Sequence, residues 1–255
     1  TPVVMSNAKA LALLAWLAVT GKPQTRAALA LLLWPDNINA RTHLRGALLA
    51  LRRALGDGAD RWLDDAGDTL AFTPDGSVSV DVVAFRTHVS RIRAHAHPAG
   101  ALCPACHRAA AEAVDLCRSD FLADFSLRDA SDFETWLATE RESLRLDFVW
   151  LLTALADCSA AEARWDTAID YTRRWVALDP LDEAAHRTLM TFYYQNGQRS
   201  AALRHFDECE RLLRAELDVG PEDETTQLAD AIRRGQLPML AGVQSTSAVE
   251  RATTT

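Results

Sequence analysis

The sequence predicts a mainly α-helical protein, a winged helix-turn-helix domain followed by an all-α, tetratricopeptide-like helical domain. Three observations carry this. Glycine (11) and proline (9) are few among 255 residues, and Ala, Leu and Arg dominate, a composition that favours helix. Two short apolar helical segments and an arginine-bearing amphipathic one precede a hairpin signal near the amino end. Ala168 and Ala202 lie 34 residues apart near the carboxyl end, which is the tetratricopeptide period.

The elements follow in chain order. Asn7 to Thr20 reads as a helix with Leu11, Leu14, Ala15 and Ala18 on one side, ended by Gly21-Lys22-Pro23. Thr25 suits the N-cap of a second helix, Arg26 to Leu33. Trp34-Pro35-Asp36 breaks the chain, and a third helix runs from about Asn39 to Leu55 with Gly56 as its stop. Trp62-Leu63 and Thr69 to Phe72 flank the turn residues Asp64 to Asp68, which gives a hairpin, and Val78-Ser79-Val80 alternates as a third strand. Three helices and then a hairpin is the chain order of a winged helix. From Val82 onward almost everything reads as helix, except a loop or insert from His95 to Pro104, with the pattern resuming near Ala109. Asp179-Pro180 closes the first repeat unit; the second has Arg214 at the matching position and meets Pro221 instead. Two units do not readily stand alone, so the preceding helices are expected to help cover their end faces. The tail after Gln236 has little periodicity and reads as a linker or disordered end.

Charge is distributed unevenly. The formal net charge is −8, which argues against nucleic-acid binding over the whole surface. Residues 1–57 hold seven basic side chains (Lys9, Lys22, Arg26, Arg41, Arg45, Arg52, Arg53) against Asp36 and Asp57, a net of +5, so the remainder carries −13. A basic front on an acidic chain implies an anionic ligand for that front. Hydrophobic residues make up 49%, enough for a sizeable core in one large or two medium domains. The five cysteines are odd in number and unevenly spaced, unlike a secreted disulfide framework. No signal peptide and no apolar run near 18–20 residues is evident, so the expected location is cytoplasmic, with no membrane partner. The chain begins at Thr1 rather than Met, and the true amino terminus is expected to be missing or removed.

On a wheel of about 100° per residue, Ala40, Leu44, Ala47, Leu48, Leu51 and Leu55 of the third helix form one buried stripe. Arg41, Arg45 and Arg52 cluster beside it, within about 40° of one another. Thr42, His43, Leu49 and Arg53 fan across the remainder. One side can pack on the first two helices while the other enters a major groove. Thr42, Arg45 and Leu49 are the expected base-edge readers, and Arg41, Arg52 or Arg53 the backbone contacts. The hairpin near 62–72 is expected to act as a wing on phosphate or the minor groove. The competing reading of the helix is an arginine-rich solvated face.

These residues resemble a known family. Lys9 to Ala18, Leu33-Trp34-Pro35-Asp36, Leu44-Arg45-Gly46-Ala47-Leu48 and Leu51 to Gly56 are similar to the DNA-binding half of bacterial activators of the antibiotic-regulatory-protein (SARP-like) type. Asp81-Val82-Val83-Ala84-Phe85 resembles the segment that ends that half. Asp120 to Phe125, Phe133 to Trp136, Glu140 to Arg145, Leu178 to His186, Gly197-Gln198-Arg199 and Ala202-Leu203-Arg204 resemble the bacterial transcriptional activator domain (BTAD). The likeness covers about residues 7–234. It implies a winged helix of the response-regulator type before a tetratricopeptide-like domain, promoter binding as paired copies on direct repeats, and contact with RNA polymerase. Three departures stand out: the strands that precede the first helix in the family are absent, Asp124 replaces a preferred glycine, and Ala50 replaces a residue that is basic in many relatives.

Other constellations offer less. Cys103-Pro104-Ala105-Cys106 is a C-x-x-C pair, and thiolate with imidazole is what zinc prefers. Cys103, Cys106, His107 and either His95 or His97 would complete four ligands only if the loop folded back, and adjacent Cys106 and His107 are awkward for one ion. The favoured reading is a flexible, His-containing connection with one buried cysteine and no metal; redox chemistry lacks a thioredoxin-type strand-to-helix context. Cys117, Cys158 and Cys209 fall within helical patterns as small core residues, and His186 and His205 take surface or packing roles. Glu134, Glu140 and Glu142 lie on a charged helix with Arg141 and Arg145, where pairing explains them better than acid-base work. No glycine-rich phosphate loop, nucleophile elbow or zinc-protease helix occurs, so neither an enzyme nor a cofactor is expected.

The sequence therefore assigns residues 1–85 to a DNA-reading winged helix, 86–235 to a helical domain that pairs copies on DNA or engages a protein such as RNA polymerase, and 236–255 to a tail. The function expected is that of a sequence-specific transcriptional activator binding double-stranded DNA. The alternatives are a protein-interaction scaffold with a degenerate winged helix, or a regulatory fragment of a larger multidomain protein.

Overall fold

The computed structural model describes residues 7–97 and 101–238. The expected tail from residue 239 to 255 lies outside the described residues, as do 98–100 of the expected loop.

The chain opens with α1 (Ala8–Thr20), capped by the Asn7 side chain accepting from the Ala10 N–H. Gly21, at φ 61°, ends it in the left-handed region that favours glycine. A two-residue strand β1 (Gln24–Thr25) leads into α2 (Arg26–Leu33), whose N-cap Thr25 accepts from Ala28 N–H. After the turn 34–39 comes α3 (Ala40–Leu55), stopped at Gly56. A 3-10 turn (Gly56–Gly58) and the short α4 (Ala59–Trp62) precede strands β2 (Leu63–Ala66) and β3 (Thr69–Phe72). These pair antiparallel through a Gly67-Asp68 turn, with Gly67 at φ 64° where the first position of a two-residue loop demands glycine. The third strand of the sheet is β1 on the other side of β3, giving the order β1-β3-β2. The expected strand at Val78 to Val80 does not form. Those valines are instead half-buried against the apolar core, so their alternation reports packing rather than pairing.

Helices occupy most of the remainder, with a non-helical segment over 117–130: α5 (Asp81–Ala94), α6 (Pro104–Leu116), α7 (Ser131–Ala161), α8 (Trp165–Leu178), α9 (Glu183–Gln195), α10 (Arg199–Leu217) and α11 (Asp223–Arg234). α6 starts at Pro104, five residues before the expected resumption at Ala109, because proline is well suited to a first helical position. Among the described residues, no helix is long and apolar enough to cross a membrane.

Two compact units result, and the chain passes between them three times. The first holds the described residues up to Arg91 together with Glu112–Leu146. Its core joins Leu13 and Leu17 of α1, Leu29 and Leu33 of α2, and Leu44 and Leu51 of α3 to Phe133 and Leu137 of α7. Trp16 and Trp136 meet at 4.9 Å between ring centroids. The three-helix front is thus completed by side chains from α7 that lie 82 to 124 positions away from its own core leucines, and Phe133 and Trp136 add aromatic area to it. Arg141 donates to the carbonyls of Phe121 and Phe125 and to that of Leu122, fixing the irregular segment ahead of α7. Asp124, in that segment, has φ 59°, which gives a physical reason for the glycine preferred there.

The second unit holds Ile92–Ala111 and the described residues from Asp147 onward. Here α8 packs on α9, α9 on α10, and α10 on α11, two successive helical hairpins. Ala168 and Ala202 are fully buried at equivalent places on α8 and α10, as the 34-residue spacing predicted. Asp182 caps α9 through Ala184 N–H and also accepts from Trp175 Nε1 at 3.0 Å, so the turn after Asp179-Pro180 is tied to both helices.

Candidate nucleic-acid interface

The third helix is held by its apolar stripe. Leu44, Ala47, Leu48 and Leu51 are buried against α1 and α2, and Ala40 and Leu55 pack at the margin, as the helical wheel predicted. That packing fixes which face is turned outward. Arg41, Thr42, Arg45, Leu49 and Arg53 are all exposed, with Leu49 about half accessible at 51%.

The arginines differ in what they touch. Arg52 is engaged, its Nη1 lying 2.8 Å from Asp60 and its Nη2 3.0 Å from Asp65. Arg26 reaches the same Asp65 and donates from Nε to the Gly67 carbonyl at 3.1 Å. Asp65 therefore links α2, α3 and the hairpin. Lys9 is likewise neutralised, its ammonium 2.8 Å from Asp129. The Lys9 ammonium beside Asp129 holds that carboxyl below the usual range. Among the described residues, Arg41, Arg45 and Arg53 have no carboxylate partner. The basic front foreseen from composition thus contracts to a smaller cationic patch on one helix face.

Gly46 lies at the middle of this face. It is exposed, lies inside α3, has ordinary helical φ, and a Cβ placed there would meet nothing within 4 Å. Glycine in a helix interior costs roughly 1 kcal/mol relative to alanine. Nothing within the described fold requires that cost, whereas close approach of another backbone would. On the helical wheel Thr42, Gly46, Leu49 and Arg53 form one ridge, flanked by Arg45 and Arg41. The turn before α3 adds Ile38, fully exposed, and His43 stacks on Trp34 with centroids 6.0 Å apart. Gly46 and Ile38 were not singled out from sequence, although a glycine inside a strongly amphipathic helix was the available signal.

The hairpin does not match the charge expected of a phosphate-contacting wing. Between Leu63 and Phe72 its charged residues are Asp64, Asp65 and Asp68, with no basic side chain. Its visible role is to hold Arg26 and Arg52 through Asp65.

The cysteine-histidine loop takes a definite shape. His95 and His97 follow α5, while Cys103 precedes α6 and Cys106 lies in its first turn. One ligand atom from each of these four lies within 4.8 Å of every other. His107, the expected third ligand beside the two cysteines, is not in this group. The Cys106 backbone N–H at the start of α6 and the neighbouring His97 pull the Cys103 thiol down to about 6. Farther along, Cys209 is buried and pushed up to about 11 by desolvation, as an inert core thiol should be.

Residues 80–233 match the family "Bacterial transcriptional activator domain". The Transcriptional regulatory protein MoaR1 of Mycobacterium tuberculosis (strain ATCC 25618 / H37Rv) is 35% identical over 97 residues, which are 38% of this chain and 31% of that protein. The solved structure of Mycobacterium tuberculosis EmbR in complex with a low affinity phosphopeptide is similar with a TM-score of 0.66 at 24% identity. That likeness covers 93% of this chain and 62% of the EmbR chain, and it is a likeness of fold. The chain matches less than two thirds of the length of either relative.

Proposed function

This chain belongs to the bacterial transcriptional activator domain family, a family of regulators and not of enzymes, and from that premise we propose that it is a sequence-specific, DNA-binding transcriptional regulator. The observation that carries the reading is the outward face of α3. Among the described residues Arg41, Arg45 and Arg53 have no carboxylate partner, and they lie on or beside the ridge of Thr42, Gly46 and Leu49, on a chain of net charge −8. In this reading Arg45, Thr42 and Leu49 face base edges, since guanidinium, hydroxyl and apolar side chains together read a guanine edge and a thymine methyl. Arg41 and Arg53 bind phosphate and set the register. Gly46 lets the sugar-phosphate backbone approach the helix. In this reading Arg52 positions α3 against α4 through Asp60 and against the hairpin through Asp65, and does not itself reach DNA.

Residues 1–85 are the reader in this proposal, and residues 86–235 pair copies on direct repeats and contact RNA polymerase to activate transcription. The family membership supports those latter roles. Fluorescence anisotropy against random duplex, repeated at two salt concentrations, tests the central claim. With two or three phosphate contacts per copy, log affinity should fall against log salt with a slope of about −2 to −3. Selection of bound fragments from random DNA should then return a preferred sequence. Absence of salt-dependent binding would leave the protein-interaction scaffold as the better reading.

A further inference from the structure

Two histidines after α5 and two cysteines at the start of α6 converge although eleven positions separate the first from the last. His95 Nδ1 lies 3.3 Å from Cys106 Sγ and 3.4 Å from Cys103 Sγ. The His95 and His97 rings meet edge to face, centroids 4.6 Å apart. Two sulfurs lie within 3.4 Å of one imidazole nitrogen, so soft donors face a common point, as they do around a thiophilic cation. Nε2 of His97 is also buried with no hydrogen-bond partner among the described residues, a costly arrangement for a group that is left unpaired.

We propose that His95, His97, Cys103 and Cys106 form a structural zinc site. Zinc bonds near 2.3 Å to sulfur and 2.0–2.1 Å to nitrogen set tetrahedral edges of about 3.5 Å for S···N and about 3.8 Å for S···S. The two S···N separations of 3.3 and 3.4 Å already match, and the largest separation in the group, 4.8 Å, closes by small side-chain rotations. No carboxylate belongs to the group, which favours a borderline-soft ion over calcium or magnesium. The two protein-derived thiolates and two imidazoles fill four positions, leaving none open for a substrate, so the ion is structural. It clamps the end of α5 to the start of α6 within the second unit. His107 stays outside the site.

The test uses the full chain, reduced and stripped with a chelator, then titrated with cobalt(II) and zinc. One cobalt per chain should bind with thiolate charge-transfer absorption and the intense visible bands of tetrahedral geometry, and one zinc should displace it. Zinc should raise the melting temperature. Cys103→Ser should weaken the charge-transfer band, His97→Ala should weaken metal affinity, and His107→Ala should change neither. The wild-type titration decides alone if a variant fails to fold. Octahedral cobalt without charge transfer, substoichiometric zinc, or indifference of the spectrum to Cys103→Ser would overturn the site. A Cys103–Cys106 disulfide that persists in the reducing titration buffer and excludes metal would do so as well.

Discussion

The outward face of α3 and the hairpins of α8–α11 use arginine differently. In α8–α11 four of the nine arginines meet carboxylates within the same unit: Arg173 meets Asp170 at 3.4 Å, Arg187 meets Glu222 at 2.8 Å, Arg214 meets Glu210 at 2.8 Å and Arg233 meets Asp230 at 2.9 Å. On α3, Arg41, Arg45 and Arg53 have no such partner among the described residues, although aspartates are numerous in the neighbouring hairpin. Exposed pairs contribute little stability, so the α8–α11 pairs act chiefly to neutralise surface charge on a stacked scaffold. The α3 arrangement gives up even that neutralisation and retains a mid-helix glycine. In the proposed function, that difference marks the α3 face as the surface that meets DNA.

The largest expected effect strikes the α3 side of the comparison. Arg45→Ala should cost about 1–3 kcal/mol of DNA binding and relax base preference, with the melting temperature unchanged. Unaltered affinity and preference in an anisotropy series would return Arg45 to the solvated category and erase the contrast.

Acidification strikes the other side. His205 packs on His186, Nε2 to Nδ1 at 2.9 Å, with Tyr193, Arg173 and Glu208 around it. Burial first, and then the neighbouring His186, push its pKa from the ordinary 6.5 down to about 4. Between those values the unfolded chain binds the proton and the folded chain does not. The contribution of neutral His205 is therefore complete above about pH 6.5 and is lost as pH falls toward 4. Thermal melts should show declining stability over that window, and His205→Gln should flatten the decline. A pH-independent melt of the wild type would remove this group from the account.

Gly46→Ala offers the sharpest discrimination. It should stabilise the fold by roughly 1 kcal/mol, because the backbone is helical and the added methyl meets nothing. It should nevertheless weaken DNA binding. If affinity is retained while stability rises, Gly46 is not a point of close approach.

Arg214→Ala should have the smallest effect, about 0.3–0.5 kcal/mol for an exposed i,i+4 pair, read by denaturant titration. A loss several times larger would mean that the scaffold relies on its surface pairs.

Much of the fold was legible because local chemistry marks it. Asn7, Thr25, Gly21 and Gly56 stand where helix ends require them, and Ala168 with Ala202 mark the repeated close approach of paired helices. β1 was not foreseen, since two residues carry no periodicity and pair only because the β3 edge meets them. Val78 to Val80 misled for the complementary reason: alternation reports one buried side, which packing without pairing also produces. Of the candidate site, the exposed positions of α3 were read correctly from its wheel. The engagement of Arg52 was not, because Asp60 reaches it only once α4 turns back against α3, and Asp65 only once the hairpin folds.

The sequence by itself determined the helical periods, the caps, the amphipathic face of α3 and the family pattern, all set by neighbours within a few turns. Tertiary structure alone decided which arginines of the front helices meet carboxylates. It also decided that Trp136 and Phe133 complete the core around α1, and that His95, His97, Cys103 and Cys106 gather between α5 and α6. Those outcomes depend on distances between residues far apart in the chain, which loop closure and packing set and no local pattern encodes.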